Sequence, residues 1–154
     1  NTIDSYYDAG VNVVFAAAGG VSTNMKNAAQ TNGKLAIDVD ANQDASVPGH
    51  VLTSVLKNTN VAVYDIVEQY LDETLESGTE MFYDLESGAT GVTDLATIEG
   101  YVSTSTAAQT AWTAIKAKLA TLEAGISNGT IDVVDAQAGE TLNFATLSNI
   151  VKAN

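Results

Sequence analysis

The sequence has no cysteine, no arginine, a single histidine and a single proline. Without cysteine, these residues cannot form disulfides, zinc–thiolate clusters or a thiol nucleophile. Nineteen carboxylates against six lysines give a formal net charge of -13. Nucleic-acid binding needs a basic surface, and phosphate recognition favours the arginine side chain. We therefore expect no nucleic-acid partner.

Long hydrophobic runs are also missing. No apolar run approaches the roughly 20 residues that a membrane-spanning helix needs. The 154 residues are nevertheless 45% apolar, which is enough for one domain with a hydrophobic core.

Two short apolar runs organise the chain. One covers residues 13–18 and ends at Gly19-Gly20, and the other covers residues 35–39, where Asp38 is the one polar residue, and ends at Asp40. Apolar runs of this length are typical of strands buried on both faces of a parallel sheet. Such sheets bind ligands at the carboxyl ends of their strands. We therefore expect functional residues within 15–20 and 38–43.

Hydrophobic periodicity and turn residues predict alternating helices and strands, with a βαβ order at the start of the chain. This order predicts an α/β fold with a mostly parallel sheet. The predicted helices cover residues 2–10, 21–32, 60–76 and 108–126, and the predicted strands cover 11–15, 35–39, 51–55, 79–85 and 131–134. A weaker helical pattern lies in Leu147, Ile150 and Val151.

Local details complete this prediction. Ser22 or Thr23 is the predicted N-cap of the second helix, and Asn60 that of the third. The inner face of the second helix is predicted to contain Val21, Met25, Ala28 and Ala29. Trp112 lies in the apolar stripe of the long helix and is a predicted core residue.

Several chemical patterns are weak. Residues 38–44 place oxygen ligands at alternate positions, but they lack the glycine and glutamate that an EF-hand loop requires. Gly19-Gly20 before a helix could seat an anion, although a simple turn is favoured because the P-loop and dinucleotide signatures are missing. His50 follows Pro48-Gly49 and is predicted to be a turn residue. The acidic stripe over residues 68–86 is typical of a solvated helix face.

Lys57 stands apart from these patterns. It follows an apolar strand and should lie at the same end of the sheet as Asp40. From the residues alone, a ligand contact and an ordinary surface lysine both remain open.

Four sequence blocks, in order, resemble the basic membrane protein (BMP) family. The blocks are VFAAAGG at residues 14–20, IDVDANQ at 37–43, PGHVLTSVLKN at 48–58 and VAVYD at 61–65. Members of this family are lipoprotein substrate-binding components of ABC importers, and they include purine nucleoside receptors. The resemblance implies a type I periplasmic-binding-protein fold, in which two Rossmann-like three-layer lobes hold a nucleoside between them.

The resemblance also implies roles for individual residues. Phe15 matches the aromatic residue that stacks on the base, Asp40 the carboxylate that accepts from the ribose hydroxyls, and Lys57 the lysine that contacts the ribose. With Gly19 and Gly20 they make up the expected ligand-binding set. No cofactor, metal or catalytic residue is implied.

One position departs from the family. Asp38 stands where the family usually has glycine. A side chain there could narrow the approach to the site or change the choice of ligand.

The match covers only the second half of such a protein. We therefore expect residues 1–154 to be a C-terminal lobe, with Asn1 a truncation or proteolysis point. Helix 60–76 would pack on the first lobe. In the chain alone the apolar face of this helix would be exposed to water. We therefore expect the fragment to dimerise through this helix or to exchange it with a neighbouring molecule. The face comprises Val63, Tyr64, Val67, Tyr70 and Leu71.

The implied partners are a nucleoside, an ABC permease and its ATPase, and the implied location is the extracytoplasmic face of a bacterial membrane, with a lipid anchor. A sugar-binding protein and a ligand-sensing regulatory protein on the same fold remain as alternatives. An enzyme is disfavoured because the chain offers no nucleophile–base pair or metal cluster.

Overall fold

The computed structural model describes residues 2–134, 139–141 and 143. In chain order its elements are α1 (Thr2–Asp8), β1 (Val13–Phe15), a 3-10 turn (Gly19–Val21), α2 (Ser22–Asn32), β2 (Leu35–Asp40), β3 (Val51–Lys57), α3 (Thr59–Leu71), β4 (Thr90–Val92), α4 (Ala96–Glu99) and α5 (Thr106–Ser127).

The strands form one sheet in the order β1-β2-β3-β4. β1, β2 and β3 are parallel to one another, whereas β4 pairs antiparallel with β3. Phe15 lies opposite Ile37, and Lys57 lies opposite Thr90. The carboxyl ends of β1, β2 and β3 therefore meet at one edge of the sheet.

Helices cover both faces of this sheet. On one face, α1 and α2 pack against the strands through a cluster of Tyr7, Met25, Ala28, Ala29 and Ala36. On the other face, α4 and α5 pack through Leu95, Ile98 and Trp112, with Leu35, Leu52 and Leu119 against them. Successive strand residues face opposite sides, which places Ala36 and its neighbour Leu35 in different clusters. The predicted α/β three-layer class and the core position of Trp112 are confirmed.

Most element boundaries agree with the prediction to within two residues. The predicted turn at His50 is confirmed as a type II turn over residues 47–50, because the His50 N–H donates to Val47 O at 3.1 Å and Gly49 has a φ of 81°.

The start of α2 differs from the prediction. Ser22 is the first helical residue and Val21 is the N-cap, without a side-chain cap bond. As the first helical residue, Ser22 directs its hydroxyl towards β2 and donates to Asp38 Oδ1 at 2.7 Å. Val21 belongs to the preceding turn and is exposed rather than on the inner face.

α3 is shorter than predicted and ends at Leu71 rather than at residue 76. Asn60 lies inside the helix rather than at its cap. Asp72 and Glu73 follow Leu71, and carboxylates at a helix C-terminus oppose the helix dipole. The backbone of Glu73 is left-handed, with a φ of 58°, which ends the helix there.

Two predicted strands do not form. Residues 79–85 are irregular, and the position beside β3 is taken by β4. Phe82 is 81% exposed, and the Tyr83 hydroxyl donates to Asp65 of α3 at 2.7 Å. A strand-like composition makes no strand where no ladder partner is free. The predicted tail helix lies outside the described residues.

Residues 131–134 also remain outside the sheet. The Ile131 N–H donates to the carbonyl of Gly125 at 2.9 Å. A Cβ built on Gly125 would lie only 2.6 Å from Ile131 Cδ1. Ile131 thus packs on the last turn of α5, which Gly125 allows, instead of pairing with a strand.

α3 presents an apolar face to solvent. No residue of this helix is buried. Tyr70 and Leu71 are each 71% exposed, and the other exposed members are Val63, Tyr64, Ile66 and Val67. The part of the chain that the structure describes leaves this face uncovered.

Candidate ligand-binding site

A cavity of about 330 Å³ lies at the carboxyl edge of the parallel strands. Phe15, Asp40 and Lys57, which are the last residues of β1, β2 and β3, all line it. Gly19 and Thr90 complete its polar and backbone surface, and aliphatic side chains form the rest. Residues separated in sequence meet here because parallel strands end at the same edge of a sheet.

Phe15 provides an open aromatic surface at this cavity. Its side chain is 51% exposed, although it ends a strand whose preceding residue, Val14, packs on the core. Water contact on an aromatic ring is unfavourable, so covering the ring with a planar apolar group would be stabilising.

Asp40 ends β2 in a left-handed backbone conformation, with a φ of 74°. Aspartate tolerates this region better than most residues, at a modest cost. A Cβ built on Gly19 would lie 3.4 Å from Asp40 Oδ2, so the carboxylate lies against the glycine backbone. Gly20 is not among the described residues that line the cavity, and a Cβ there would meet open space.

Lys57 is exposed at the end of β3. The ion pairs described in the chain involve Lys26 and Lys116, and Lys57 forms none within the described ranges. Its ammonium group can therefore donate hydrogen bonds into the cavity beside Asp40. Four of the five predicted ligand contacts, all except Gly20, are thus brought together by the fold.

A buried ion pair lies next to this cavity. Lys26 Nζ of α2 is 2.6 Å from Asp38 Oδ2 of β2, and the two side chains are 9% and 1% exposed. Lys26 Nζ also lies 3.5 Å from Gln43 Oε1. Asp38 Oδ1 accepts from the Ser22 hydroxyl and from the Val39 N–H. The pair fastens α2 to β2 immediately before Asp40.

The surroundings of Asp38 set its protonation. Burial raises the pKa of this carboxyl, but hydrogen bonds and charge attraction from Lys26, with hydrogen bonds from Ser22 and Val39, outweigh burial and leave its pKa below the ordinary value. Asp38 is consequently ionised at neutral pH.

Lys26 was not identified from the sequence. A carboxylate inside a strand that is buried on both faces needs a compensating partner, and that requirement was the available signal. Lys26 follows Ser22 by one helical turn, so both residues face β2. Because the chain has only six lysines, Lys26 was one of few candidates for the partner of Asp38.

The loop after Asp40 is held by a second polar network. Ser54 of β3 is fully buried, and its hydroxyl donates to Asp44 Oδ1 at 2.6 Å while accepting from the Gln43 N–H at 3.0 Å. The Asn42 side chain accepts from the Asp44 N–H. These oxygens are thus used within the protein. Across the described residues, no group of three or more acidic or histidine side chains could hold a metal ion.

His50 lies far from the cavity, before the first residue of β3. Its Nδ1 is 3.0 Å from the carbonyl oxygen of Lys34. The histidine is a turn residue, as its place after Pro48-Gly49 predicts.

Comparison with known proteins gives the site its family context. A family model for PnrA-like ABC transporter substrate-binding proteins, named Bmp, matches residues 1–126. The chain belongs to this family. Basic membrane protein D of Borreliella burgdorferi is 30% identical over 95 residues, which make up 60% of this chain and 28% of that protein.

Solved structures show the same fold. A solute-binding protein of an ABC transporter system from Aeropyrum pernix K1 superimposes with a TM-score of 0.61 at 22% identity, over 86% of this BMP-family chain and 43% of that chain. A transcriptional activator of the comK gene from Bacillus halodurans gives a TM-score of 0.57 at 20% identity, over 63% and 34% of the two chains. The BMP-family chain therefore spans less than half of each of these proteins.

Among the described helices, none combines the length and the apolar character needed to cross a membrane.

Proposed function

We propose that this chain is the C-terminal lobe of a substrate-binding lipoprotein that binds a purine nucleoside for import by an ABC transporter. One observation carries the proposal. An aromatic ring, a carboxylate and an ammonium group, supplied by Phe15, Asp40 and Lys57, line one cavity at the carboxyl edge of the parallel strands.

This combination suits the two halves of a nucleoside. Phe15 offers a half-exposed face on which a planar base can stack. Asp40 can accept hydrogen bonds from two vicinal hydroxyls, and Lys57 can donate to a ribose oxygen. No chemical step is needed, and the BMP-family chain acts as a binding module rather than as an enzyme.

The greater length of the relatives supports a two-lobed receptor. The chain covers 28% of its curated relative and 43% of the solute-binding protein from Aeropyrum pernix. A second lobe would cover the ligand and, with it, the half-exposed ring of Phe15. We further propose that the exposed face of α3 packs on that lobe, so that the chain alone forms a homodimer through α3 or exchanges this helix.

Light scattering tests the proposal for α3. The isolated chain should give a dimer mass at high concentration, and Tyr70→Glu should give a monomer. Tyr101→Glu is the control, because Tyr101 is also exposed but lies outside α3. A monomeric wild-type chain at high concentration would contradict dimerisation.

As a lipid-anchored protein on the extracytoplasmic face of a bacterial membrane, the full-length protein would deliver its ligand to a permease with its ATPase. Membership of the substrate-binding family supports this reading.

A sugar is the second candidate ligand, because Asp40 and Lys57 suit any polyol. The exposed ring of Phe15 favours a ligand that contains a base. A regulatory sensor would need a further domain outside this chain.

Isothermal titration of the full-length protein tests the function. The ligands are inosine, guanosine, adenosine, cytidine, ribose and galactose. Saturable heat with purine nucleosides and none with the free sugars is expected. Heat with sugars alone, or with none of the ligands, would refute the proposed nucleoside specificity.

A further inference from the structure

A second cavity, of about 230 Å³, adjoins the first at the same edge of the sheet. Gly19, Val39 and Asp40 line both cavities. The two spaces are therefore neighbouring compartments, with Asp40 at the boundary. If Asp40 binds a ligand in the first compartment, any group of that ligand that extends past the Asp40 carboxylate would enter the second compartment.

The second compartment has a polar lining fixed by buried groups. Lys26 and Asp38, which are 7% and 1% exposed, both line it, together with Ser22 and Gln43. The Lys26 ammonium has three N–H groups, so it can donate to a ligand while it stays paired with Asp38. Gln43 adds a side-chain amide to the same space, whereas both oxygens of Asp38 are already engaged by Ser22, Val39 and Lys26.

The balance of charge determines which group this compartment can accept. An ammonium beside the first turn of α2 would by itself favour an anion. Here two carboxylates, Asp38 and Asp40, line the cavity against the one ammonium of Lys26. An added phosphate group would be repelled by both carboxylates and would compete with Asp38 for Lys26.

We propose that this compartment holds a neutral hydrogen-bonding group of the ligand, such as a hydroxyl or an amide, and rejects a phosphate. Lys26 and Asp38 are then the pair that determines this specificity. The inference rests on the proposed nucleoside-binding function.

Isothermal titration of the full-length protein with inosine and with inosine monophosphate tests the inference. The wild type should bind inosine and discriminate against the monophosphate. Asp38→Asn removes one repelling charge and should raise the affinity for the monophosphate, relative to inosine, by about tenfold or more. Lys26→Gln removes the one cation among the described residues that line the second compartment, and it should lower that ratio.

The decisive result is a rise in the monophosphate-to-inosine affinity ratio in Asp38→Asn and a fall in Lys26→Gln. If the two residues had a purely structural role, both variants would bind both ligands more weakly and the ratio would not change. Asp8→Asn makes the same charge change at an exposed site outside both cavities and should leave the ratio as in the wild type. Thermal melting verifies that each variant is folded, and either variant alone still tests the direction of its shift.

The results separate the two proposals. If the wild type binds inosine but an unchanged ratio is found in Asp38→Asn, or if the monophosphate binds the wild type as tightly as inosine, the role of the second compartment is refuted and nucleoside binding stands. If the wild type binds neither ligand, the proposed function fails and this inference fails with it.

Discussion

Removal of Lys26 should destabilise the protein strongly. In Lys26→Met, the apolar stem is replaced at similar length, but Asp38 loses the ammonium that lies 2.6 Å from its Oδ2. Removing one partner of a buried ion pair costs about 3–5 kcal/mol, because a buried charge is left uncompensated. Asp38 lines a cavity that is open to solvent, so we expect about 3 kcal/mol, the lower end of that range.

Urea denaturation of the full-length protein, followed by circular dichroism at pH 7, measures this loss. The double variant Lys26→Met/Asp38→Leu removes both charges, and its stability should return most of the way to that of the wild type. Lys116→Met is the control, because Lys116 pairs with Glu99 on the exposed surface. It should change the free energy of unfolding little.

Two results would refute the reasoning. A Lys26→Met variant as stable as the control would show that the ion pair contributes no more than a surface pair. A double variant less stable than Lys26→Met would show that Asp38 contributes through its bonds to Ser22 and Val39 rather than through its charge.

Three further predictions concern other parts of the fold and site. Gly49→Ala should be less stable in urea than Gly78→Ala, because both glycines have a φ near 80° but only at Gly49 would the new Cβ lie 2.8 Å from Tyr101 Cδ1. In urea titrations, the loss of unfolding free energy from wild type to Asp38→Asn should be smaller at pH 3 than at pH 6. The pKa of Asp38 is lower in the folded state than its ordinary value of 3.8, so its ionised form stabilises the fold above pH 3.8, and this contribution is lost as the pH falls through the folded-state pKa. Phe15→Ala should weaken inosine binding in calorimetry by about 1–3 kcal/mol, the value of one base stack.

Each of these predictions can fail clearly. Equal stabilities of the two glycine variants would contradict the contact with Tyr101. A stability difference between wild type and Asp38→Asn that is independent of pH would contradict an ionised, ion-paired Asp38. Unchanged inosine affinity in Phe15→Ala would remove the aromatic residue from the site, whereas Phe15→Tyr, the matched control, should bind inosine normally.

The parts of the fold that were predictable are those where one signal dominates. β2 and β3 are mostly apolar runs of strand length, and α5 repeats its apolar residues every three or four positions. In both cases burial and periodicity favour the same structure. The shared edge of Phe15, Asp40 and Lys57 was predictable too, because parallel strands impose it once their ends are known.

The errors lie where the outcome depends on a partner. Residues 79–85 have the composition of a strand, but β4 holds the free edge of β3 and Tyr83 bonds to Asp65. Residues 131–134 are similar, since Ile131 finds its contact on Gly125. Which segment pairs with the edge of β3 depends on tertiary contacts, and local sequence composition does not determine it.

The sequence indicated only one member of the ion pair beside the site. The resemblance drew attention to Asp38, but its counter-ion Lys26 was not identified. The pairing of these side chains depends on how α2 packs across β2, and Lys26 taken alone has the composition of an exposed helix residue. Its burial follows from tertiary packing, which periodicity does not report.

We propose that Phe15, Asp40 and Lys57 hold a nucleoside between two lobes, and a crystal structure of the full-length protein with inosine tests this most directly. We predict the purine ring stacked on Phe15 and the ribose hydroxyls within hydrogen-bonding distance of Asp40 and Lys57. Inosine bound elsewhere, or an empty cavity at saturating inosine, would contradict the account.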